Sequence, residues 1–394
     1  MRTVTATNVS LLTVALYLLD LAIKVVALGL VPEGRRPSSA SAWLLLILFL
    51  PVIGLVAFWL IGSPRGVKVR LMFDHIGTSR IPGYRNMIKK LKHTAIEWHP
   101  MLPVQPLKGK WRRPDLRNHR KIVIIDGRVA FVGSLNMIDA SYHNRKHERA
   151  GRKWRELLMQ VSGPVVFSLN IIFATDWYLE TDEVLREDVQ PYASEMEPGE
   201  VLCQVVPSGP GFPDENNLRL FNSLIYSAQR RLSITSPYFV PDDSLLYDIT
   251  TAAQRGIDVE LFVGEQGDQF MVHHAQSSYY KALLKAGVKI YLYPAPFVLH
   301  SKHFSVDDDV AVIGSSNMDI RSFNLDFEVS VMCLSRSLTT AMRQVEDHYR
   351  SSRELTLVEW GAQTAAKALH RQCDALNVRS AVTGCERRYR APPW

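Results

Sequence analysis

Cysteine is scarce: the chain has 394 residues and only four cysteines, Cys203, Cys333, Cys373 and Cys385, none in a CxxC spacing. That excludes a disulfide scaffold and a cysteine-ligated zinc fold, and it fits a reducing compartment. No carboxylate cluster or His/Cys set has the spacing of metal ligands, so the expected chemistry uses no metal and no cofactor. Charge is absent between Pro37 and Pro64. No small-x-small cleavage site is evident near the first apolar run, and the N-terminal tail holds only Arg2, so a cleaved signal peptide is not expected. What the chain does have is apolar and basic. Hydrophobic residues make up 47%, which rules out global disorder. The formal net charge of +7 favours an anionic partner: a membrane surface, nucleic acid or a phosphorylated substrate. The length suggests two lobes or domains.

The charge-free window contains AWLLLILFLPVIGLVAFWLIG, Ala42 to Gly62. At about 1.5 Å per residue it is long enough to cross a hydrocarbon layer of about 30 Å. Trp43 and Trp59 lie near its ends, where indoles prefer the interface. An earlier apolar run, about residues 11–31, is interrupted by Asp20 and Lys24, whose i,i+4 spacing lets them neutralise each other. Two transmembrane helices, about 11–31 and 42–62, are therefore expected. The connecting loop carries Arg35 and Arg36; the flanks carry Arg2, Arg65, Lys68 and Arg70. The positive-inside rule then favours a cytoplasmic body.

The body contains an internal repeat. NHRKIVIIDGRVAFVGSLNM begins at Asn118 and LHSKHFSVDDDVAVIGSSNM at Leu299. His119, Lys121, Asp126, Gly133, Ser134 and Asn136 recur at the same spacing as His300, Lys302, Asp307, Gly314, Ser315 and Asn317. Apolar alternation makes each copy a strand, a turn at the Asp and a returning strand. His and Lys, two apart, share one face of the strand. Upstream, GVKVRLMFD at Gly66 resembles GIDVELFVG at Gly256, and strands alternate with helices, which indicates α/β lobes. Before Gly256 lie two further strands and two further helices that have no counterpart before Gly66. The first lobe is thus short by about two strands and two helices.

Two His, two Lys and two Asn brought together make an anion site with acid–base capability. Lysine neutralises phosphate oxygens, Asn and Ser donate neutral hydrogen bonds, and histidine serves as nucleophile or proton carrier. Asp126 and Asp307 belong to the motif but read as turn and hydrogen-bonding residues. His273 and His274, an adjacent pair in a polar stretch, receive no role.

These residues resemble the phospholipase D superfamily, marked by HxKxxxxD followed by GSxN, twice per chain. More narrowly the chain is similar to bacterial cardiolipin synthases: NHRKIVIIDG, WRELLMQVSGP at Trp154, ITSPYFVPD at Ile234 and SSNMDIRSFNLDFE at Ser315 carry the likeness, over about residues 10–360. The resemblance implies an α/β fold of two pseudo-repeated lobes with the active site between them. It implies that two phosphatidylglycerol molecules give cardiolipin and glycerol through a phosphatidyl-histidine intermediate. His119 would be the nucleophile and His300 the proton carrier. Lys121, Lys302, Ser134, Asn136, Ser315 and Asn317 would hold the phosphate. Glu156 and Glu328 would orient the histidines, with Glu148 a weaker candidate. Other implied readings are a hydrolytic phospholipase D, a phosphatidylserine synthase or other phosphodiester enzyme, and an inactive membrane protein with a shortened first lobe. The expected partners are anionic phospholipids and a bacterial inner membrane, not nucleic acid. The expected layout is a membrane anchor over 1–64, the short first lobe and connector over 65–198, the second lobe over 199–360 and a basic tail over 361–394.

Overall fold

The computed structural model describes residues 11–31, 37–50, 58, 67–105, 110–185, 199–212 and 215–361. By contacts the chain forms two compact units, Met1–Arg70 with Ala95–Glu97, and Leu71–Thr94 with Trp98–Trp394. The expected basic tail over 361–394 lies almost wholly outside the described residues.

The first unit contains helices Leu11–Leu30 and Pro37–Phe49. Ala27, Val31, Ile47 and Phe58 are buried together, and the Trp43 and Phe58 rings meet edge to face at 5.7 Å. Lys24 Nζ donates to Asp20 Oδ2 at 2.8 Å, the self-paired ion pair expected from their spacing. The described residues hold the first expected span and only the first part of the second. Among the described residues no helix is long and apolar enough to cross a membrane. The first helix carries that ion pair at mid-length, and the second stops at Phe49 after 13 residues. Most of 51–66 lies outside the described residues.

In the second unit the repeat becomes a repeated sheet. Strand Ile122–Ile125 pairs antiparallel with Val129–Gly133, which pairs antiparallel with Leu158–Ser162. In the other copy His303–Val306 pairs with Val310–Gly314, which pairs with Asp326–Leu334. The register is shared: Ile122 faces Val132 as His303 faces Ile313. Both turns place the motif Asp in the left-handed region, φ 53° at Asp126 and 48° at Asp307, where Asp is better tolerated than most residues. A Cβ on Gly133 would sit 2.3 Å from Leu157 O, and one on Gly314 2.4 Å from Val329 O. Glycine at both positions lets the neighbouring strand close in.

The copies differ in what surrounds these three strands. In the second they sit inside a nine-stranded sheet that continues through Arg231–Thr235, Asp258–Gly264 and Lys289–Tyr293. Helices Asn216–Ser227, Asp243–Gln254 and Phe270–Ala286 accompany that extension. In the first copy the sheet stops at three strands among the described residues, with Ile122–Ile125 at its edge. The apolar side chains record the difference: Val123 and Ile125 are 41% and 49% exposed, whereas Phe304 and Val306 are 1% and 2% exposed. The copies share a core. Ala130, Val132, Met159, Leu169 and Ile172 of the first pack with Ala311, Ile313, Val329, Val331 and Met342 of the second. Burying each such aliphatic side chain contributes roughly 1.5–3 kcal/mol, so the copies are held together as one body.

Candidate active site

Two short parallel pairings build the site. Arg117–Asn118 pairs with Asp326–Phe327, and His119 N donates to Phe327 O at 2.9 Å. Trp154–Arg155 pairs with Val298–Leu299, and His300 N donates to Arg155 O at 2.8 Å. Each pairing runs a histidine alongside the strand that leads to the other copy's glutamate. The result is crossed. His119 Nδ1 lies 2.8 Å from Glu328 Oε1, and His300 Nδ1 lies 2.9 Å from Glu156 Oε1 and Oε2. With Nδ1–H donating to a carboxylate, Nε2 is the nitrogen left for chemistry. Each copy alone would hold a histidine without its acid.

The lysines lie on the same faces as the histidines. Lys121 Nζ donates to His119 O at 2.6 Å, and Lys302 Nζ to His300 O at 2.9 Å. Lys302 Nζ is also 3.2 Å from His300 Nε2. Burial lowers Lys302 to about 7 against the pull of Glu156, and lowers Lys121 to about 8 against the pull of Glu328. Both histidines are held well below their ordinary value by burial first and then by the lysine charges. Both are therefore neutral at pH 7, the form in which Nε2 has a lone pair to use. His119 is the more accessible, with 26% of its side chain exposed against 6% for His300.

The serines brace the acids, and the asparagines hydrogen-bond to neighbouring hydroxyls. Ser315 Oγ donates to Glu328 Oε2 and accepts from Val329 N at 3.0 Å. Ser134 Oγ accepts from Leu157 N at 2.8 Å, beside Glu156. Asn136 Nδ2 donates to Tyr142 Oη at 2.6 Å, and Asn317 Nδ2 to Ser322 Oγ at 3.2 Å. Asn317 Oδ1 is buried with no hydrogen-bond partner among the described residues. Burial raises Glu328 to about 7 and also raises Glu156.

Two motif residues stand outside the cluster. Asp126 is exposed at its turn. Asp307 accepts from the backbone N–H groups of Gln229, Arg230 and Arg231, which holds its carboxyl below the usual range. Neither reaches a histidine, because the strand carries them to its far end. Glu148 stays on the exposed helix Arg145–Arg149. Among the described residues no group of His, Cys, Asp and Glu is arranged to hold a metal ion.

Arg120, between His119 and Lys121, was not singled out from the sequence. It points to the opposite face and is almost buried. Its guanidinium donates to Asp176 of helix Val165–Thr181, to Glu328 O at 3.0 Å and to Ser208 O at 3.4 Å. One side chain thus ties the first copy's motif to the strand that supplies Glu328. The signal available in the sequence was Asp176, a lone acid deep in the apolar run VVFSLNIIFATDW.

The ionisation states give a pH signature. Glu328 must be ionised to orient His119, so activity should rise as pH climbs through about 7. Lys302 and Lys121 must be cationic to hold phosphate, so it should fall through about 7 to 8. The free-enzyme profile of kcat/KM should be a narrow bell without a plateau. A flat profile from about pH 6 to 9 would contradict this assignment.

Fold and site together define a two-lobed α/β protein in which repeated HxK segments share one double-histidine centre. The family model described as cardiolipin synthase, PLD-like domain, matches residues 47–163 and 221–351, and the phospholipase D-nuclease N-terminal model matches 14–63. The chain belongs to the cardiolipin synthase, PLD-like domain family. It is 38% identical over 303 residues to cardiolipin synthase A of Proteus mirabilis (strain HI4320), covering 76% of this chain and 61% of that one. Against cardiolipin synthase A of Pectobacterium carotovorum subsp. carotovorum (strain PC1) it is 38% identical over 301 residues, covering 75% and 61%. The chain spans about 61% of the length of these curated relatives. Among solved structures, phosphatidylserine synthase of Haemophilus influenzae Rd KW20 matches with a TM-score of 0.54 at 15% identity, over 91% of this chain and 93% of that one. That likeness concerns the fold.

Proposed function

We propose that this chain is a phosphatidyltransferase that makes cardiolipin and glycerol from two phosphatidylglycerol molecules. The observation that carries the reading is the crossed pair of His–Glu contacts flanked by the buried Lys302 and the half-buried Lys121. His119 Nε2 attacks the phosphorus of the first lipid. The bond from phosphorus to the headgroup glycerol breaks, and the departing oxygen takes the proton from Nε2 of His300, which the anionic phosphate of the bound lipid holds in the protonated form. His300 then takes the proton from the headgroup hydroxyl of the second lipid. That oxygen attacks phosphorus, and the bond to His119 breaks. Lys121 and Lys302 offset the phosphate charge throughout, and Asn136 and Asn317 border it. Proton transfer of this kind is typically worth about 10²–10⁴ in rate.

The membrane is the proposed place of action. In support, the family match begins at residue 14, and the first helix leaves Tyr17, Leu18, Leu21, Val25 and Leu28 more than half exposed. The bacterial inner membrane and a cytoplasmic catalytic body complete the proposal. The chain should stay with the membrane pellet after alkaline carbonate washing; its release would argue for a peripheral attachment.

The test of the activity is purified protein in mixed micelles with phosphatidylglycerol alone, in the presence of a metal chelator. Cardiolipin and glycerol should form in equal amounts. Phosphatidic acid and glycerol without cardiolipin would mark a hydrolase instead, and no product at all would mark an inactive chain.

A further inference from the structure

Two of the four cysteines meet across the large sheet. Cys203 lies on strand Leu202–Ser208 and Cys333 on strand Asp326–Leu334, directly opposite each other in an antiparallel register. Both are free thiols, and their sulfurs are 3.3 Å apart. On its other side Cys333 faces Ala311. Along that second pairing Ser315 N donates to Val329 O at 2.9 Å, and Ser335 N donates to Asp309 O at 2.7 Å. Backbone groups in a strand alternate with a period of two, so the N–H and C=O of Cys333 also point toward the strand of Ala311 and away from Cys203. Cys203 and Cys333 are therefore a non-hydrogen-bonded pair, the kind whose Cα atoms approach to about 4.5 Å and whose side chains stand closest. That separation lies within the roughly 4.4–6.8 Å that a disulfide spans.

The two thiols are not equivalent. Cys203 is half-buried, whereas Cys333 is 1% exposed in the core that the two copies share. The Cys333 thiol donates to Cys203, which lowers Cys203 to about 7 and raises Cys333. A thiol that ionises near neutrality and has a route to solvent is the reactive type, and a buried one is protected from reagents. Neither has a part in the two-histidine chemistry. We infer that Cys203 and Cys333 form a thiol-oxidation site, which closes a cross-strand disulfide when the chain meets a peroxide. The Cys203 thiolate attacks one peroxide oxygen, the O–O bond breaks, and the released hydroxide takes up a proton as water. Cys203 is left as a sulfenic acid. Cys333 Sγ attacks that sulfur, the S–O bond breaks, and hydroxide leaves with the Cys333 proton as a second water. The two thiols lose two electrons, and the peroxide is reduced to water. Because the second thiol is already in contact, Cys203 is captured before it reaches the irreversible sulfinic stage. The cysteines are 130 residues apart in sequence, so the link ties a long stretch of the second lobe and removes freedom from the unfolded chain.

The test uses the full chain, reduced, freed of reductant, treated with hydrogen peroxide and then alkylated. It reads sulfur chemistry and unfolding alone and is independent of the activity proposed above. Mass spectrometry of unreduced peptides should find Cys203 joined to Cys333 while Cys373 and Cys385 are still alkylated. The melting temperature should rise by about 5 °C or more, and dithiothreitol should reverse the rise. Cys203→Ser, a change at the half-buried end, should form no link and show no rise. Cys333→Ser should leave a sulfenic acid on Cys203 that dimedone traps. Sulfinic acid on Cys203 beside an unreacted Cys333 in the unaltered protein, or a disulfide joining two chains, overturns the inference. So does a rise in melting temperature that survives in Cys203→Ser, or an internal link that leaves the melting temperature unchanged.

Discussion

Given a donor lipid whose leaving group is nitrophenolate, Glu156→Gln protein should release one equivalent of nitrophenolate and then stall, whereas Glu328→Gln protein should show almost no burst. The reasoning follows the crossed contacts. Glu328 holds Nδ1 of His119, and the proposed mechanism gives His119 the first bond to phosphorus. With an amide there, Nδ1–H loses its charged acceptor and Nε2 loses basicity and aim. Glu156 holds His300, to which the proposed mechanism assigns the proton transfers. A nitrophenolate leaves without a proton, so the first step proceeds when His300 is misdirected. The second step still needs a base for the incoming hydroxyl, and there the enzyme stops. Each substitution should cost about 10²–10⁴ in the step it affects. The assignment is opposite to what chain proximity suggests, since Glu156 lies nearer in sequence to His119 and Glu328 nearer to His300. A burst in Glu328→Gln with none in Glu156→Gln would mean that the roles of the histidines are exchanged.

The second large effect is on stability. Arg120→Ala should destabilise the fold by about 3–5 kcal/mol, because it leaves Asp176 buried without its partner. Both side chains of the pair are nearly inaccessible, 5% and 6% exposed. Burial already pushes the Asp176 carboxyl upward, and Arg120 opposes that push. Without Arg120 the carboxyl is raised further above its unfolded value, so the penalty is felt where the unfolded chain would be ionised. Arg120→Ala should therefore lie closest to the unaltered protein at acidic pH and fall away from it as pH rises through the carboxylate range. Replacing both partners together, Arg120→Met with Asp176→Leu, should recover much of the loss. Denaturant unfolding at about pH 4 and 7.5 checks all three statements. A loss below about 1 kcal/mol would mean that the pair is solvated in solution.

Much of this site could be read from the chain because its residues recur. His119 and His300, their lysines, and the Gly-Ser-x-Asn segments stand out through identical spacing, and the strands around them follow from alternation. The upstream elements of the second lobe, from Leu202–Ser208 to Lys289–Tyr293, were legible for the same reason. The crossing was not. It depends on two parallel pairings of two residues each, between segments more than a hundred residues apart, and such short pairings leave no periodicity. Arg120 was hidden by its position, since a residue between two motif members reads as the other face of the strand. Most of the second expected span lies outside the described residues. Among the described residues Val123 and Ile125 of the first copy are exposed where Phe304 and Val306 of the second are covered, a difference that alternation alone does not reveal.

The central claim is that His119 carries the phosphatidyl group. The most direct measurement takes Glu156→Gln protein during its stall, quenches it at alkaline pH to spare a phosphorus–nitrogen bond, and maps the adduct by mass spectrometry. The account predicts one phosphatidyl group per chain, on His119. An adduct on His300, or none while nitrophenolate is released, would contradict it.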